Sequence, residues 1–185
     1  MKHTLMMAFI AMLLYNCRKD NLNCIPDLPC ATQTGANTFG CYINGKPWVA
    51  EIAPHMLDPT LHKTEAEYDV TGYQSDVSNQ LRITASRWDS TSSGFLILYI
   101  KPVTDVGELN PGIADFSVWG NLSNQIYPNE VLSIDLDTIQ EYSLTVTRLD
   151  TEERIISGLF SFKGISGTDT INVTDGRFDV KFLKL

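Results

Sequence analysis

The chain has 185 residues, of which 43% are hydrophobic, so it is long and apolar enough for one domain with a sizeable core. Its 22 acidic against 14 basic residues give a formal net charge of −8. Such a surface repels nucleic acid and anionic lipid headgroups, so neither is expected as a partner.

An apolar segment opens the chain. Lys2 precedes an unbroken apolar run from Leu5 to Leu14, which is typical of a secretory signal peptide and shorter than the roughly 20 residues that cross a bilayer. The run ends at Cys17 without an Ala-x-Ala signature, and this junction resembles the lipobox of bacterial lipoproteins. We interpret residues 1–16 as a lipoprotein signal peptide and Cys17 as the lipid attachment site. The alternative is a buried N-terminal helix with an incidental cysteine.

The residues after Cys17, Arg18-Lys19-Asp20-Asn21, resemble the short export signal of some Bacteroidota lipoproteins. This resemblance implies an outer-membrane location, with the cell surface favoured over the periplasmic face. A charged linker beside a lipid has the same composition, so the periplasmic face stays an alternative. Membrane association is expected through the acyl chains alone.

The segment from Asn21 to Thr38 is rich in Pro, Thr, Asn and Cys and has no apolar period. It is predicted to be part of a flexible, lipidated tether over residues 17–38, followed by a folded domain over residues 39–185.

The turn Asn44-Gly45 predicts the first hairpin. Both residues tolerate the positive φ of a type I′ turn, which pairs Ile43 with Lys46 and Cys41 with Trp48. The same register pairs Phe39 with Ala50 and puts Cys41 in the core.

A second hairpin is predicted at Asp175-Gly176, with Val173 opposite Phe178 and Ile171 opposite Val180. The core-facing side is expected to continue through Phe182. The alternate residues are expected to face water, namely Arg177, Asp179 and Lys181.

Further strands are predicted between the hairpins, at Tyr68 to Tyr73, Gln80 to Trp88, Phe95 to Lys101, Ile113 to Trp119, Val131 to Thr138, Tyr142 to Leu149 and Arg154 to Lys163. Phe95 to Ile100 is apolar on both faces and therefore reads as a central strand. About nine to ten short strands indicate an all-β antiparallel sandwich, with a calycin-like β-barrel as the alternative.

Cysteine usage follows from these assignments. With Cys17 acylated and Cys41 in the core, Cys24 and Cys30 are two close, exposed thiols in the tether. Such thiols tend to pair in an oxidising envelope, so a Cys24–Cys30 disulfide is predicted. A bridge in a tether outside the core is expected to stabilise the domain only slightly.

Three stretches carry a family resemblance: "LPCATQTGANTFGCYINGKPWV", "IISGLFSF" and "VTDGRFDV". They are similar to a family of small Bacteroidota lipoproteins known only as a domain of unknown function. Its members share a lipobox, the Asn-Thr-Phe-Gly-Cys stretch, here Asn37 to Cys41, and the Gly-Arg-Phe-Asp stretch, here Gly176 to Asp179. The relatives commonly have Pro where this chain has Cys30. The resemblance implies an envelope location and no particular activity.

Residues with catalytic chemistry are few. His55 and His62 lie in an acidic loop whose spacing matches no standard metal motif, so a solvated loop and no metal are expected. Asp135 and Asp137 share one face of a strand, where carboxylates either solvate the surface or perform acid/base work. No nucleophile elbow or phosphate loop occurs, and no cofactor is expected.

Loops and aromatic residues carry the functional expectation. The longest irregular segments, Ala53 to Glu67 and Gly120 to Glu130, are the candidate ligand loops, with His55, His62, Trp119 and Tyr127 as candidate contacts. Trp88, like Trp119 and Tyr127, lies near a strand end, where an aromatic ring either packs or stacks on a sugar. We expect a non-catalytic binding module for a glycan, a peptide or an envelope protein; a small envelope hydrolase with a carboxylate or metal site is the alternative.

Three tripeptides resemble the acceptor that Bacteroidota use for O-glycosylation of exported proteins. Their hydroxyl residues are Ser90, Thr138 and Thr170. Ser90 and Thr170 fall in predicted turns and are the better candidates.

Overall fold

The computed structural model describes residues 24–52, 62–69, 79–88, 93–108, 113–121, 132–134, 141–166 and 168–185. Across those ranges there is no helix of the length and apolar character that a membrane span requires.

The described residues form thirteen strands: β1 (Thr38–Ile43), β2 (Lys46–Val49), β3 (Glu51–Ile52), β4 (Thr64–Asp69), β5 (Gln80–Trp88), β6 (Ser93–Ile100), β7 (Gly107–Glu108), β8 (Ile113–Asn121), β9 (Leu132–Ile134), β10 (Glu141–Asp150), β11 (Ile155–Ser166), β12 (Asp169–Lys181) and β13 (Leu183–Lys184). More strands are present than the nine to ten predicted, because β3, β7 and β13 have two residues each and are too short to show a period.

These strands make two sheets. The first sheet is antiparallel, in the order β2-β1-β12-β11-β10-β7. The second sheet has the order β13-β4-β5-β6-β8-β9, with β3 also paired to β5. It is a mixed sheet, because β13 pairs in parallel with β4 and β3 pairs in parallel with β5. In the described part of the chain no ladder joins the two sheets. The sandwich prediction is therefore confirmed against the calycin-like alternative.

The core lies between the sheets and is built from the alternate residues of both. In the first sheet Phe39 packs edge-on against Trp48, with 6.1 Å between ring centroids, and lies 5.5 Å from the ring of Phe160. In the second sheet Leu96, Leu98 and Ile100 of β6 are completely buried. β6 lies between β5 and β8, so the predicted central strand is confirmed.

The first predicted hairpin is also confirmed. Asn44 and Gly45 have φ values of 50° and 76°, and Cys41 pairs with Trp48. The backbone N–H of Ala50 donates to the carbonyl of Phe39 at 3.0 Å, which extends the predicted register.

The second predicted hairpin is wrong. β12 runs without a turn from Asp169 to Lys181. Asp175, with φ of 53°, lies in a β-bulge that gives β12 one residue more than either neighbouring strand. A bulge and a two-residue turn both place Val173 and Phe178 on the same face, so alternation alone does not distinguish them.

Two glycines beside the bulge make room for aromatic rings in the core. Gly176 pairs with Phe160, and Gly158 pairs with Phe178 across the same two strands. A methyl group on Gly176 would lie 2.5 to 2.6 Å from three ring carbons of Phe160. A methyl group on Gly158 would meet the Phe178 ring at the same 2.5 Å. Each ring therefore occupies the space that a side chain on the opposite strand would need.

Residues 24–37, here called the strap, lie on the outer face of the first sheet. The predicted flexible tether is wrong over this part, because the strap surrounds Asp179, which is 1% exposed and does not face water as predicted. The carboxylate accepts hydrogen bonds from the backbone N–H groups of Thr34, Gly35 and Ala36 at 3.0, 2.8 and 3.1 Å. The hydroxyls of Thr32 and Ser157 donate to it as well.

Other strap residues accept hydrogen bonds from two more strands, β1 and β10. Tyr42 donates its hydroxyl to the carbonyl of Pro26 at 2.6 Å, and Arg148 donates to the carbonyl of Gln33. Arg177, also predicted to face water, is 4% exposed and donates to the carbonyl of Asp175 at 3.1 Å. Only Lys181 of the three predicted outward residues is exposed.

Asp179 is held in its charged form. Burial alone would raise the pKa of this carboxyl group, but hydrogen bonds from Thr32, Ser157 and the backbone of Ala36 and Thr34 favour the anion and bring the pKa below its ordinary value. The folded protein therefore binds this proton less readily than the unfolded chain does. The stabilisation is present above the unfolded pKa of about 4 and is lost as the pH falls through the lower folded value.

We predict that Gly176→Ala lowers the free energy of unfolding by about 2 kcal/mol, because the added methyl group displaces the packed ring of Phe160. Urea denaturation measures the change. In a Phe160→Leu background, which removes the ring, the same substitution should cost about 1 kcal/mol less, since the clash is relieved. A Gly176→Ala protein within about 0.5 kcal/mol of the wild type would contradict the packing argument.

We predict that Asp179→Asn lowers the free energy of unfolding by about 3 kcal/mol at pH 7, because an amide group cannot accept all of these donors. The difference from the wild type should shrink as the pH falls below about 4, because the unfolded wild-type chain takes up this proton there and the folded protein does so only at a lower pH. Asp169→Asn, at an exposed position of the same strand, is the matched control. An equal loss in both variants would show that the buried carboxylate has no special role.

Candidate functional site

A shallow groove crosses the outer face of the second sheet. Its volume is about 270 Å³. It is lined by the side chains of His62, Glu65, Arg82, Thr84, Ser86, Trp88, Phe95 and Ile97. These residues come from β4, β5, β6 and the residue that lies two positions before β4.

Strand alternation builds this groove. In β5, Leu81, Ile83 and Ala85 point into the core, so Arg82, Thr84, Ser86 and Trp88 point outward. The ladders place Thr84 between Glu65 of β4 and Ile97 of β6, and they place Ser86 opposite Phe95. The groove is thus a patch of side chains three strands wide.

One part of the groove is apolar. Trp88, Phe95 and Ile97 are all half-buried, and Tyr99 continues the row along β6. The outer face of a sandwich sheet is ordinarily polar, so a row of large apolar side chains on this face is unusual. They lie outside the core between the sheets, which the alternate residues of β5 and β6 fill.

The other part of the groove is polar. Arg82 donates from Nη1 to Oε2 of Glu67 at 3.2 Å, and both side chains are more than a third exposed, so this ion pair contributes little to stability. The Nε of Arg82 is buried and has no hydrogen-bond partner among the described residues. Thr84 and Ser86 add hydroxyls, and Glu65 and His62 are exposed at the edge. The lining therefore offers both donors and acceptors beside an aromatic surface.

Of the predicted ligand contacts, His62 lies in this groove. The backbone of Trp119 in β8 pairs with Phe95. His55, Tyr127, Asp135 and Asp137 lie outside the described residues. Over the described ranges no group of three His, Cys, Asp or Glu side chains is placed to hold a metal ion.

Of the four predicted modification sites, the structure describes one, Thr170. Cys17, Ser90 and Thr138 lie outside the described residues. Thr170 is exposed, but it belongs to β12 and not to a turn as predicted. Its backbone pairs with Ile165 at the end of the β11–β12 hairpin.

Sequence reasoning missed six of the eight groove residues, namely Glu65, Arg82, Thr84, Ser86, Phe95 and Ile97. The sequence does contain a signal for the groove, because β6 is apolar on both faces. That pattern was taken only as the sign of a central strand. Reading the outward residues of β5 and β6 together would have identified an apolar row beside hydroxyl and charged groups.

A second concavity of about 260 Å³ lies on the first sheet, across β10, β11 and β12. Its lining includes Tyr142, which is 36% exposed, with Glu141, Lys163 and Asn172. Tyr142 is thus an aromatic side chain on the first sheet, whereas the groove lies on the second sheet.

The structure contains the Cys24–Cys30 disulfide, which agrees with the predicted pairing. Cys41 is a free, buried thiol, and burial raises its pKa. The disulfide loop was predicted to lie in a flexible tether, but in the structure it packs on the first sheet. Pro29 packs close to Gly40 on the sheet face, and its carbonyl accepts a hydrogen bond from Arg177 at 3.5 Å.

Two of the three stretches that carry the family resemblance, those containing Asn37 to Cys41 and Gly176 to Asp179, lie side by side. Thr38 pairs with Asp179, Phe39 with Phe178 and Gly40 with Arg177. Their side chains fill the core and hold the strap, so these stretches account for the fold and not for a ligand site. The chain matches no protein-family model, no curated protein and no solved structure. The family membership therefore stays a prediction.

We predict that removing the disulfide with Cys24→Ser/Cys30→Ser lowers the free energy of unfolding by about 2 kcal/mol, the entropy of closing a loop this short. A disulfide in an independent tether would contribute nothing to domain stability, whereas this loop is docked on the sheet and unfolds with it. Urea denaturation of the variant, and of wild-type protein reduced with dithiothreitol, should give the same loss. Unchanged stability in both would mean that the loop opens independently of the domain.

Proposed function

We propose that this protein is a lipid-anchored lipoprotein of the cell envelope that acts as a non-catalytic binding module, with the groove as its ligand site. The observation that carries the proposal is the row of Trp88, Phe95 and Ile97 on an outer sheet face, beside polar side chains of both hydrogen-bonding types. Ligand sites combine an apolar surface with a few polar groups that fix orientation.

The anchor is Cys17, carrying acyl chains that insert in the outer membrane, with the domain at the cell surface. The strap begins at Cys24, seven residues later, so an extended chain between them reaches at most about 25 Å. This short distance supports a domain held close to the lipid by its first sheet. The groove lies on the outer face of the other sheet and is therefore directed away from the point of attachment.

The proposed ligand loops extend the same site. His62 lies at the groove, and the backbone position of Trp119 is paired with Phe95. We infer that His55 and Tyr127, from the same two loops, add contacts to a ligand in the groove. Thr170, exposed at a hairpin end, is the proposed O-glycosylation site with a described position; Ser90 and Thr138 are the further ones.

The anchor is tested by Cys17→Ser in the full-length chain, expressed in a bacterial host that processes lipoproteins. We predict that the wild type enters the detergent phase and that the variant moves to the soluble envelope fraction, because the acyl chains supply the membrane affinity. Unchanged partitioning of the variant would contradict the anchor.

The binding role is tested on arrays of glycans and of peptides with the mature domain. We predict that binding is weakened at least about tenfold in Trp88→Ala, because the aromatic surface is lost, and is unchanged in Tyr142→Ala on the other sheet. Equal binding by both variants would place the ligand site elsewhere. Turnover of any glycan, ester or peptide that disappears in Asp135→Asn or Asp137→Asn protein of normal stability would replace the binding role with the hydrolase.

A further inference from the structure

We infer from the chemistry of the groove that its ligand is an uncharged saccharide chain, stacked on Trp88 and Phe95 and hydrogen-bonded by the polar lining. This inference rests on the proposed binding function and specifies the ligand class of the same site. It follows from the position of apolar and polar side chains beside one another on β4, β5 and β6.

The apolar side chains select a ligand with a flat apolar face. Trp88 ends β5, and Phe95 and Ile97 lie on the adjacent β6, so the three line the same groove. Aromatic faces carry partial negative charge and attract the weakly positive C–H groups of a sugar ring. A half-buried indole loses little conformational freedom when a ring stacks on it, which favours this contact.

The polar side chains select a ligand with many hydroxyl groups. Thr84 and Ser86 each donate and accept, Arg82 donates, and Glu65 accepts. A saccharide hydroxyl also donates and accepts, so it satisfies any of these partners without a buried charge. A lipid chain would leave the same polar groups without partners, which costs free energy.

The charges disfavour anionic ligands. The net charge of the chain is −8, which repels polyanions, and the positive charge of Arg82 is already neutralised by Glu67. A single exposed carboxylate, Glu65, remains as an acceptor at the edge. An uncharged ligand fits this balance.

The backbone disfavours a peptide bound as an added strand. β5 and β6 are interior strands whose backbone groups are already paired on both sides, with β4, with each other and with β8. Recognition at the groove must therefore come from side chains, and strand addition requires a free sheet edge. From Arg82 to Trp88 the lining runs about 20 Å along the sheet, so an extended chain fits better than one small molecule.

The test is affinity electrophoresis of the mature domain in gels that contain one soluble polysaccharide each. Xylan, mannan, mixed-linkage β-glucan and galactan are the neutral probes, and polygalacturonate is the acidic one. We expect retardation by at least one neutral probe. Trp88→Ala should weaken it at least about tenfold, Trp88→Phe should retain most of it because a ring remains, and Tyr142→Ala should not change it.

Three outcomes would overturn the inference: no retardation by any neutral probe, retardation by polygalacturonate alone, or retardation that Trp88→Ala leaves unchanged. Circular dichroism melting of each variant separates a lost contact from a lost fold, and Glu65→Gln, at an exposed position, tests the polar lining independently. If peptide arrays instead show binding that Trp88→Ala abolishes, the binding function stands and the saccharide assignment falls.

Discussion

The carboxylate of Asp179 joins parts of the chain that are distant in sequence. A charge this deeply buried is tolerated only when hydrogen bonds replace the water that it has lost. The strap supplies three backbone N–H groups and the hydroxyls of Thr32 and Thr34, and Ser157 of β11 supplies a third hydroxyl. The dependence is mutual, because the strap has no regular ladder to satisfy those backbone donors. Strap, β11 and β12 therefore form one unit, and the strap covers the outer face of the first sheet around Asp179.

This arrangement depends in turn on the bulge at Asp175. Before the bulge, Ile171 and Val173 point into the core; after it, Phe178 and Val180 do. Without the extra residue, alternation would have directed Asp179 into the core and Phe178 to the outside. The close approach of the Phe160 ring to Gly176 fills the space beside the bulge. A local backbone irregularity thus decides which side chains meet the strap and which meet the other sheet.

Much of the sandwich was predictable because its signals are local. The Asn44-Gly45 turn fixed one register, and the alternation of Gln80 to Trp88 gave β5 with the correct ends. The errors occurred where two structures share one local pattern. Asp175-Gly176 suits a turn and a bulge equally, and only the long pairing of β12 with β11 separates them. The strap has no period, and its order comes from a partner more than 140 residues away. Of the groove residues, only His62 and Trp88 were considered as ligand contacts. Glu65 was predicted to lie in a loop but belongs to β4, and the remaining residues lie on strands whose predicted role was core packing.

The two sheets consequently differ in what their outer faces are able to do. The strap occupies the first sheet, and its contacts with Asp179, Tyr42 and Arg148 are used for stability. On the second sheet, β6 already buries Leu96, Leu98 and Ile100, which are enough to fix that strand in the core. Phe95 and Ile97 of the same strand are half-buried on its outer side, and exposing apolar surface to water has a cost. We propose the groove as the ligand site because a ligand that covers these side chains would remove that cost, whereas the resemblance stretches of the first sheet pack the core and hold the strap.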